Sequence, residues 1–224
     1  MNVAAKPITG SATDERVMMY GCIRTSHAVT SYPISFRDVH ADALFGMKMF
    51  QKMGVEAGSM VLFTSGSSEY AQFWPYEISV ANLEGCVAIA ENFIFDAGRA
   101  EMFMRRLSIK VAFGITDAIL DGMAAMNLDV AKAFQPAGSI CARDGAADRL
   151  KELGFAPWRM VSFGPAFGFV SPDGETFHDQ DQWLLEAVGG ELLITSRHAR
   201  ALPVVRLPTG IAGSVDPSGR FSLA

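Results

Sequence analysis

The chain has 224 residues, of which 50% are apolar and 19% are charged, and this composition excludes a disordered chain. The sequence has a formal net charge of −5 and no basic run, which argues against nucleic acid and against an anionic membrane surface as partners.

Residues 1–15 are small and polar and predict a flexible arm. The sequence has no secretory signal segment and no run of about 18 apolar residues, so we expect a cytoplasmic protein without a membrane span. The cysteines, at positions 22, 86 and 141, are odd in number and lack CxxC spacing, which favours reduced thiols. Cys86 stands in an apolar run and is predicted to lie in the core.

Strands and helices alternate along residues 16–163. The predicted strands are 17–21, 59–64, 86–90, 109–114, 138–142 and 158–163. The predicted helices are 35–54, 69–85, 96–107, 117–126 and 145–154. Ser35 and Asp38 form a capping pair at the start of the first helix, and Gly54 is its natural stop. Its apolar residues at helical spacing are Phe36, Val39, Leu44, Met47 and Phe50. Pro75 predicts a kink or a break in the second helix.

After residue 163 the pattern changes to short strands joined by tight turns such as SPDG and DPSG. Alternating strands and helices indicate a mostly parallel sheet that is covered by helices on both faces. The sequence therefore predicts an α/β fold, with an α/β core over 16–163 and a smaller antiparallel β-rich part over 164–224.

The stretch FTSGSS, residues 63–68, looks like a phosphate-binding loop, because an apolar strand leads into a Ser/Gly turn before a helix. Residues 65–68 also fit a simple turn that caps the following helix. We expect the turn.

The C-terminal stretch GGELLITSRHARALPVVRLPTG, residues 189–210, resembles the end of the large domain of adenylate-forming acyl-CoA ligases. It is most similar to the phenylacetate-CoA ligase branch, in which GELVITT is followed by a basic residue and ALPLIRYRTGD. The matching residues are Gly190, Glu191, Leu192, Ile194, Thr195, Arg200, Ala201, Leu202, Pro203, Arg206, Thr209 and Gly210. Upstream, the order and spacing of the elements from residue 16 onward resemble the same domain.

This resemblance implies the acyl-CoA synthetase fold and a protein that uses ATP, magnesium and coenzyme A to activate a carboxylic acid through an acyl-adenylate. In the family, a Gly/Ser/Thr-rich loop with a Lys holds the phosphates through backbone N–H groups. A Glu in the pattern YGxxE binds the metal, and the Asp of TGD binds the ribose. A C-terminal lid carries a catalytic Lys.

The sequence departs from each of these motifs. Where the family reads SSGTTGKPT, residues 21–33 read GCIRTSHAVTSYP, with a single Gly and no Lys. Phe163 and Gly164 match the aromatic–Gly pair of the metal motif, but no Glu follows before Glu175. Ile211 stands in place of the ribose Asp, and we expect the lid to be absent. We therefore expect no cofactor; ATP and CoA are the alternative.

Several polar residues are candidates for catalysis or metal binding. Cys22 and His27 lie in the degenerate loop, and such a pair can supply a nucleophile and a base, although the favoured interpretation is a polar surface loop. HDQD, residues 178–181, offers a His and two carboxylates, but the spacing also fits a solvated turn, and we expect no metal. His40 and His198 are predicted to lie on the surface.

Two arginines in the family-like stretch are candidates. An Arg in the apolar run PVVRL needs a partner to offset its desolvation, and the family places the residue that matches Arg206 beside the nucleotide. A structural ion pair is the favoured explanation for Arg206, and a role beside a nucleotide is the alternative. Arg200 matches a basic position of the family, and a solvated surface side chain is its alternative.

We expect an apolar ligand pocket between the sheet and the helices, where the resemblance places the acyl group. The chain has 12 Met and 16 Phe, and Met side chains line adaptable apolar surfaces. The predicted ligand-binding residues are Phe113, Gly114, Ala137, Gly138, Ser139, Phe163, Gly164, Arg206, Thr209 and Gly210.

Functions from different classes fit this sequence. The first is a non-catalytic ligase relative that binds a small apolar, acyl or acyl-CoA ligand, or that serves as a subunit of a homo-oligomer or of a larger enzyme complex. The second is an active enzyme. It would be either a ligase completed by a partner chain, or a hydrolase or isomerase in the cleft where the resembled family binds its substrates. The third is a purely structural interaction protein.

Overall fold

The computed structural model describes residues 16–24 and 29–224; the predicted arm over 1–15 and His27 lie outside these residues. The helices are α1 (Phe36–Lys52), α2 (Tyr70–Asn82), α3 (Ala97–Arg106), α4 (Asp117–Ala125), α5 (Val130–Phe134) and α6 (Asp144–Glu152). The strands are β1 (Val17–Arg24), β2 (Val29–Ser35), β3 (Met60–Thr64), β4 (Cys86–Ala90), β5 (Ile109–Ile115), β6 (Ser139–Arg143), β7 (Trp158–Ser162), β8 (Phe167–Val170), β9 (Thr176–Phe177), β10 (Trp183–Val188), β11 (Glu191–Ser196), β12 (Leu207–Val215) and β13 (Phe221–Leu223). Short 3₁₀ turns at Ser67–Glu69 and Ile94–Asp96 precede α2 and α3.

The main sheet has the strand order β4-β3-β5-β6-β7-β8-β9. Strands β4, β3, β5, β6 and β7 pair in parallel. Strands β8 and β9 follow β7 in antiparallel pairing. Alternate residues of each strand face opposite layers of helices. Val61 and Phe63 pack against α1 and α2, whereas Leu62 between them packs in a core with α3 to α6. The predicted α/β fold with a mostly parallel sheet is confirmed.

A second sheet holds β10, β11, β12 and β13, all antiparallel to their neighbours. Its core side chains pack against Val161 and Phe163 at the end of β7, so the two sheets share apolar contacts. The predicted antiparallel part is confirmed. The division of the chain at residue 163 stays a prediction, and β8 and β9, which follow it, extend the main sheet.

Helix α1 begins and ends at the predicted signals. The Asp38 N–H donates to Ser35 Oγ at 3.2 Å and the Ser35 N–H donates to Asp38 Oδ2 at 2.8 Å, which is a capping box. Gly54 follows the helix with φ of 88°, a conformation that favours glycine. Helix α2 runs through Pro75 without a break, so the predicted break is wrong.

Several predictions about exposure and local structure are also wrong. Residues 21–24 and 29–33 lie in the paired strands β1 and β2 instead of a loop. Cys86 is exposed because β4 is the edge strand of the sheet. In the part of the chain that the structure describes, no helix is long and apolar enough to cross a membrane.

Candidate functional site

The chain reverses its direction of travel across the sheet between β3 and β5. From β3 it moves to β4 on one side and then returns to β5 on the other side of β3. In open parallel sheets, ligands bind in the crevice at the carboxyl ends of the strands beside such a point. In this chain the point is marked by Thr64 at the end of β3 and Ile115 at the end of β5, and the residues beside it are the candidate site.

An ion pair connects residues at the carboxyl ends of the parallel strands, and we call this side of the sheet its carboxyl edge. Arg143, the last residue of β6, donates from Nη1 to Glu69 Oε1 at 2.6 Å and from Nη2 to Glu69 Oε2 at 2.8 Å. The two side chains are only 27% and 23% exposed, and the guanidinium lies 5.2 Å from the centre of the Phe73 ring. Such two-point contacts are the strongest form of Arg–carboxylate bond.

The Glu69 carboxylate collects further donors. The Asn92 side chain, two residues after β4, donates to Oε2 at 2.8 Å, and the Gly66 N–H donates to Oε2 at 3.2 Å. Desolvation by itself would raise the pKa of Glu69, but the hydrogen bonds and the charge of Arg143 outweigh it, so this pKa lies below its ordinary value. The carboxyl group is therefore ionised at neutral pH.

Two polar atoms of this edge are left over for a ligand. Arg143 Nε and Asn92 Oδ1 are buried and have no hydrogen-bond partner among the described residues. One is a donor and the other an acceptor. A partner for Arg143 Nε would be an acceptor oxygen, and a partner for Asn92 Oδ1 would be a hydroxyl or amide hydrogen.

The stretch FTSGSS contributes to this edge without acting as a phosphate loop. Gly66 leads into the 3₁₀ turn Ser67–Glu69, so the predicted turn is confirmed. The capping group is the Glu69 carboxylate and not a serine hydroxyl. Because Glu69 already takes the Gly66 N–H and carries a negative charge there, this turn is unsuited to a phosphate.

The predicted apolar pocket is occupied by the protein itself. Rings from the sheet and from α1 and α2 pack with centroid distances of 5.0 Å to 6.3 Å around Phe113. The rings of this aromatic cluster are Phe50, Phe63, Phe73, Tyr76, Phe113, Phe167 and Phe169. Beside them lies a cavity of only about 10 Å³, room for about one water molecule.

The structure separates the residues that were predicted to line this pocket. Gly114, with φ of 86°, lies at the carboxyl end of β5, where an added Cβ would come within 2.6 Å of the Thr64 carbonyl. Ala137, Gly138 and Ser139 lie at the opposite end of the sheet, because Ser139 opens β6 and the Gly138 N–H donates to the Ile109 carbonyl at 3.1 Å. These residues do not form one site.

Phe163 and Gly164 lie between the two sheets. Phe163 is buried against Phe221 at 5.2 Å between ring centroids. The Gly164 carbonyl accepts from Gln72 Nε2 at 3.4 Å, and the same Nε2 donates to the Cys22 carbonyl at 3.0 Å. Gln72 thus ties hairpin β1–β2 to the loop that follows β7.

The two candidate arginines have environments opposite to those that the sequence predicts, because Arg206 is exposed and Arg200 is buried. Arg206 is 53% exposed, precedes β12 with φ of 49°, and lies 3.7 Å from Glu186, so the argument from desolvation does not apply to it. Arg200 is 1% exposed and lies over the Trp183 ring at 4.5 Å, so a solvated surface side chain is wrong.

Arg200 is the centre of a buried charge cluster. Its Nη1 and Nη2 contact the Asp42 carboxylate at 3.0 Å and 2.5 Å, and its Nε lies 3.4 Å from Asp38 Oδ1. The Ala201 N–H donates to Asp38 Oδ2 at 3.1 Å. Burial raises the pKa of the neighbouring Tyr32 to about 12. The cluster ties α1 to the loop between β11 and β12.

Thr209 and Gly210 hold the backbone of the second sheet. Thr209 Oγ1 donates to the Leu192 carbonyl at 2.7 Å and accepts from the Ile211 N–H at 3.2 Å. The Gly210 N–H donates to Glu191 Oε1 at 2.8 Å. Thr209 and Gly210 therefore connect β12 to β11 through these hydrogen bonds.

The remaining candidates do not converge. Cys22 is partly buried, and His27 lies outside the described residues. Burial, with a smaller effect of Arg197, lowers the pKa of His178 to about 4. Asp179 accepts the N–H groups of Asp181 and Gln182, as a turn would require. Over 16–24 and 29–224, no three His, Cys, Asp or Glu side chains are placed to hold a metal. His40 and His198 are exposed, as predicted.

Sequence reasoning missed Glu69, Asn92 and Arg143. All three stand within a few residues of the end of a predicted strand, and the carboxyl ends of parallel strands meet at one edge of the sheet. That positional rule is the signal that could have found them.

Comparisons with known proteins support the fold described above. No protein-family model matches the sequence, and no curated protein matches it. Among solved structures, an open conformation of 2-hydroxyisobutyryl-CoA ligase in complex with 2-HIB-AMP and CoA matches with a TM-score of 0.69 and 17% identity, over 92% of this chain and 56% of that chain.

Two further solved structures have similar scores. The N-terminal subdomain of Klebsiella oxytoca NpsA, in complex with 3-hydroxyanthranilyl-AMSN, matches with a TM-score of 0.62 and 12% identity, over 94% of this chain and 62% of that chain. The O-succinylbenzoate coenzyme A synthetase MenE of Bacillus subtilis, in complex with AMP, matches with a TM-score of 0.61 and 9% identity, over 94% of this chain and 61% of that chain. This chain spans between half and two thirds of the solved chains named here, and it has the fold of that part of an acyl-CoA ligase.

Proposed function

We propose that this protein is a non-catalytic relative of acyl-CoA ligases, of the phenylacetate-CoA ligase type, that binds an acyl or acyl-CoA ligand at the carboxyl edge of its main sheet. The observation that carries the proposal is the Glu69–Arg143 pair near the point between β3 and β5 where the chain reverses its direction across the sheet. Arg143 Nε and Asn92 Oδ1 have no hydrogen-bond partner among the described residues. A guanidinium at that position suits the oxygen atoms of an acyl group or of a carboxylate.

The surroundings of the former ATP motifs favour binding without adenylation. Phe167, at the position that corresponds to the family's metal-binding Glu, packs within the aromatic cluster. Ile211, at the position of the ribose-binding Asp, packs in the core of the second sheet. Neither position offers the charge that a magnesium nucleotide requires, since hard cations are held by oxygen ligands. The cytoplasmic location of the protein stays a prediction.

A thermal-shift screen tests the proposal, because a ligand that binds only the folded state raises its melting temperature. The ligands are ATP, AMP, coenzyme A, acetyl-CoA, phenylacetyl-CoA and phenylacetate. We expect a saturable rise with an acyl-CoA or with the acid and none with ATP. The rise should be lost in Arg143→Gln and kept in Arg149→Gln, which removes an Arg from the outer face of α6. No shift with any acyl compound contradicts the binding role.

Release of pyrophosphate from ATP in the presence of these acids tests the other half of the proposal. We expect none, and turnover would show that the protein is an active ligase.

A ligase or a complex completed by a partner chain is the second candidate. Phe36 and Leu44 expose apolar side chains along α1, and such residues are over-represented where a second chain packs. Light scattering of the purified chain distinguishes a monomer from a homo-oligomer. If an added partner chain restores adenylation, this candidate replaces the first.

A further inference from the structure

The small cavity beside the aromatic cluster has a polar lining that the proposed function does not use. It has a volume of about 10 Å³ and lies where α1, α2, the β7–β8 loop and the start of β10 meet. Its lining residues are Asp42, Phe45, Gln72, Tyr76, Pro165, Ala166, Phe167, Asp179 and Trp183. Two carboxylates and one amide face a space the size of a single small ion or water.

Gln72 lines this space, and two hydrogen bonds fix the orientation of its amide. Its Nε2 donates to the carbonyl oxygens of Cys22 and Gly164, at 3.0 Å and 3.4 Å, and only the nitrogen of the amide can do so. This fixes the amide with Oε1 turned the other way. Gln72 is 8% exposed, and its Oε1 has no hydrogen-bond partner among the described residues. A buried carbonyl oxygen without a partner is costly, so a missing partner is indicated.

The carboxylates around the cavity outnumber the cations. Asp42 shares Arg200 with Asp38, so one guanidinium faces two carboxylates. Asp179 accepts its two hydrogen bonds through Oδ1, from backbone N–H groups. Desolvation by burial is the main reason that the pKa values of Asp42 and Asp179 are raised, although Arg200 and a hydrogen bond from Trp183 oppose this effect at Asp42.

We propose that this cavity binds one small monovalent cation, such as potassium or ammonium, through Gln72 Oε1 and the carboxylates of Asp42 and Asp179. The three groups offer oxygen acceptors, and the cavity has the volume of one such ion. Divalent ions such as Ca²⁺ and Mg²⁺ are usually held by several carboxylates. In the described part of the chain, no three acidic, His or Cys side chains converge to supply them.

The bound ion would link elements that are distant in the sequence. Gln72 on α2 already contacts hairpin β1–β2 and the loop after β7, and Asp42 on α1 contacts Arg200. A cation between Asp42, Gln72 and Asp179 adds the loop before β10 to this set. The ion therefore stabilises the junction of the two sheets, independently of any ligand at the carboxyl edge.

The test is the melting temperature of the whole chain in potassium, ammonium, sodium and choline chloride at equal ionic strength. We expect at least one of the small cations to raise the melting temperature saturably above its value in choline chloride. Asp179→Asn should remove this rise, and its amide oxygen can still accept the N–H groups of Asp181 and Gln182. Asp181→Asn is the matched control, because it removes the same charge from an exposed side chain, and it should keep the rise.

A second measurement locates the ion directly. Crystals grown with rubidium chloride should show an anomalous peak within the cavity lined by Gln72 and Asp179. The proposal is overturned if the melting temperature is the same in all four salts, if Asp179→Asn and Asp181→Asn respond equally, or if the cavity contains a water molecule and no anomalous peak.

Discussion

Two arginine–carboxylate clusters hold this molecule together, and they differ in their surroundings. Arg200, Asp38 and Asp42 are enclosed between α1 and the second sheet, and Arg200 is 1% exposed. Arg143 and Glu69 lie at the carboxyl edge of the main sheet, where each keeps about a quarter of its side-chain surface exposed, at 27% and 23%. The comparison separates a fully buried ion cluster from a partly exposed one, which lies where we propose that a ligand binds.

The difference also shows why family-like residues are poor guides to function in this chain. Arg200 belongs to the stretch that resembles acyl-CoA ligases, and its contacts are structural. Arg143 lies outside that stretch, at the edge where parallel sheets bind ligands. A test of the comparison must therefore measure both stability and binding.

The largest effect is expected for Arg200→Met. This change leaves Asp38 and Asp42 buried without their shared cation, and breaking such a cluster costs about 3–5 kcal/mol of unfolding free energy. Urea denaturation monitored by tryptophan fluorescence measures it. Arg106→Met, at an exposed position of α3, is the control and should stay within about 0.5 kcal/mol of the parent. A loss of unfolding free energy no greater than that of the control would contradict a structural role for Arg200.

A smaller loss is expected for Glu69→Gln, because the pair is partly exposed and the amide can keep some hydrogen bonds. We expect about 1–2 kcal/mol at neutral pH. The folded pKa of Glu69 lies below the ordinary value of 4.5, so the stability that its charge contributes is present above that pH and is lost as the pH falls through the folded pKa. Urea denaturation between neutral and acid pH should show the parent and Glu69→Gln converging; a constant difference would contradict this.

A third change tests His178, which packs against Phe221 and belongs to neither cluster. Its pKa is lowered from 6.5 to about 4 by burial and, to a smaller extent, by Arg197, so the folded state favours the neutral imidazole. Stability from this group is present above pH 6.5 and is lost as the pH falls toward about 4. The unfolding free energy of the parent should therefore fall over this range relative to that of His178→Gln. Parallel pH profiles of the two proteins would show that His178 is not buried as described.

The smallest effect is expected for Arg206→Ala. The side chain is 53% exposed and lies 3.7 Å from Glu186, and exposed ion pairs contribute between about 0 and 1 kcal/mol. We expect a change within about 0.5 kcal/mol in urea denaturation and unchanged ligand binding. Loss of ligand binding in this variant, with unchanged unfolding free energy, would indicate that Arg206 lies beside the ligand, as the resemblance to the family implies.

The sequence was sufficient for the architecture because local signals agree with the fold. The capping pair Ser35 and Asp38, the stop at Gly54 and the alternation of strands with helices all have the structures that they predict. The hairpin β1–β2 was missed, although buried Tyr32 and Ile34 alternate with more exposed neighbours in the pattern of a half-buried strand.

The candidate site was beyond the reach of local signals. Glu69 and Arg143 are 74 residues apart, and no periodicity or motif pairs them. Arg200 and Arg206 stand in one irregular stretch, where burial depends on the packing of α1 and not on spacing along the chain. Only the three-dimensional arrangement distinguishes the buried arginine from the exposed one.

Isothermal titration of phenylacetyl-CoA into the parent protein and into Arg143→Gln is the most direct test of the central claim. We predict saturable binding to the parent and an affinity at least about tenfold weaker for the variant, which corresponds to the loss of about 1.4 kcal/mol from a charged hydrogen bond. Equal affinity of the two proteins, or no binding to the parent, would contradict a ligand site at the carboxyl edge of the sheet.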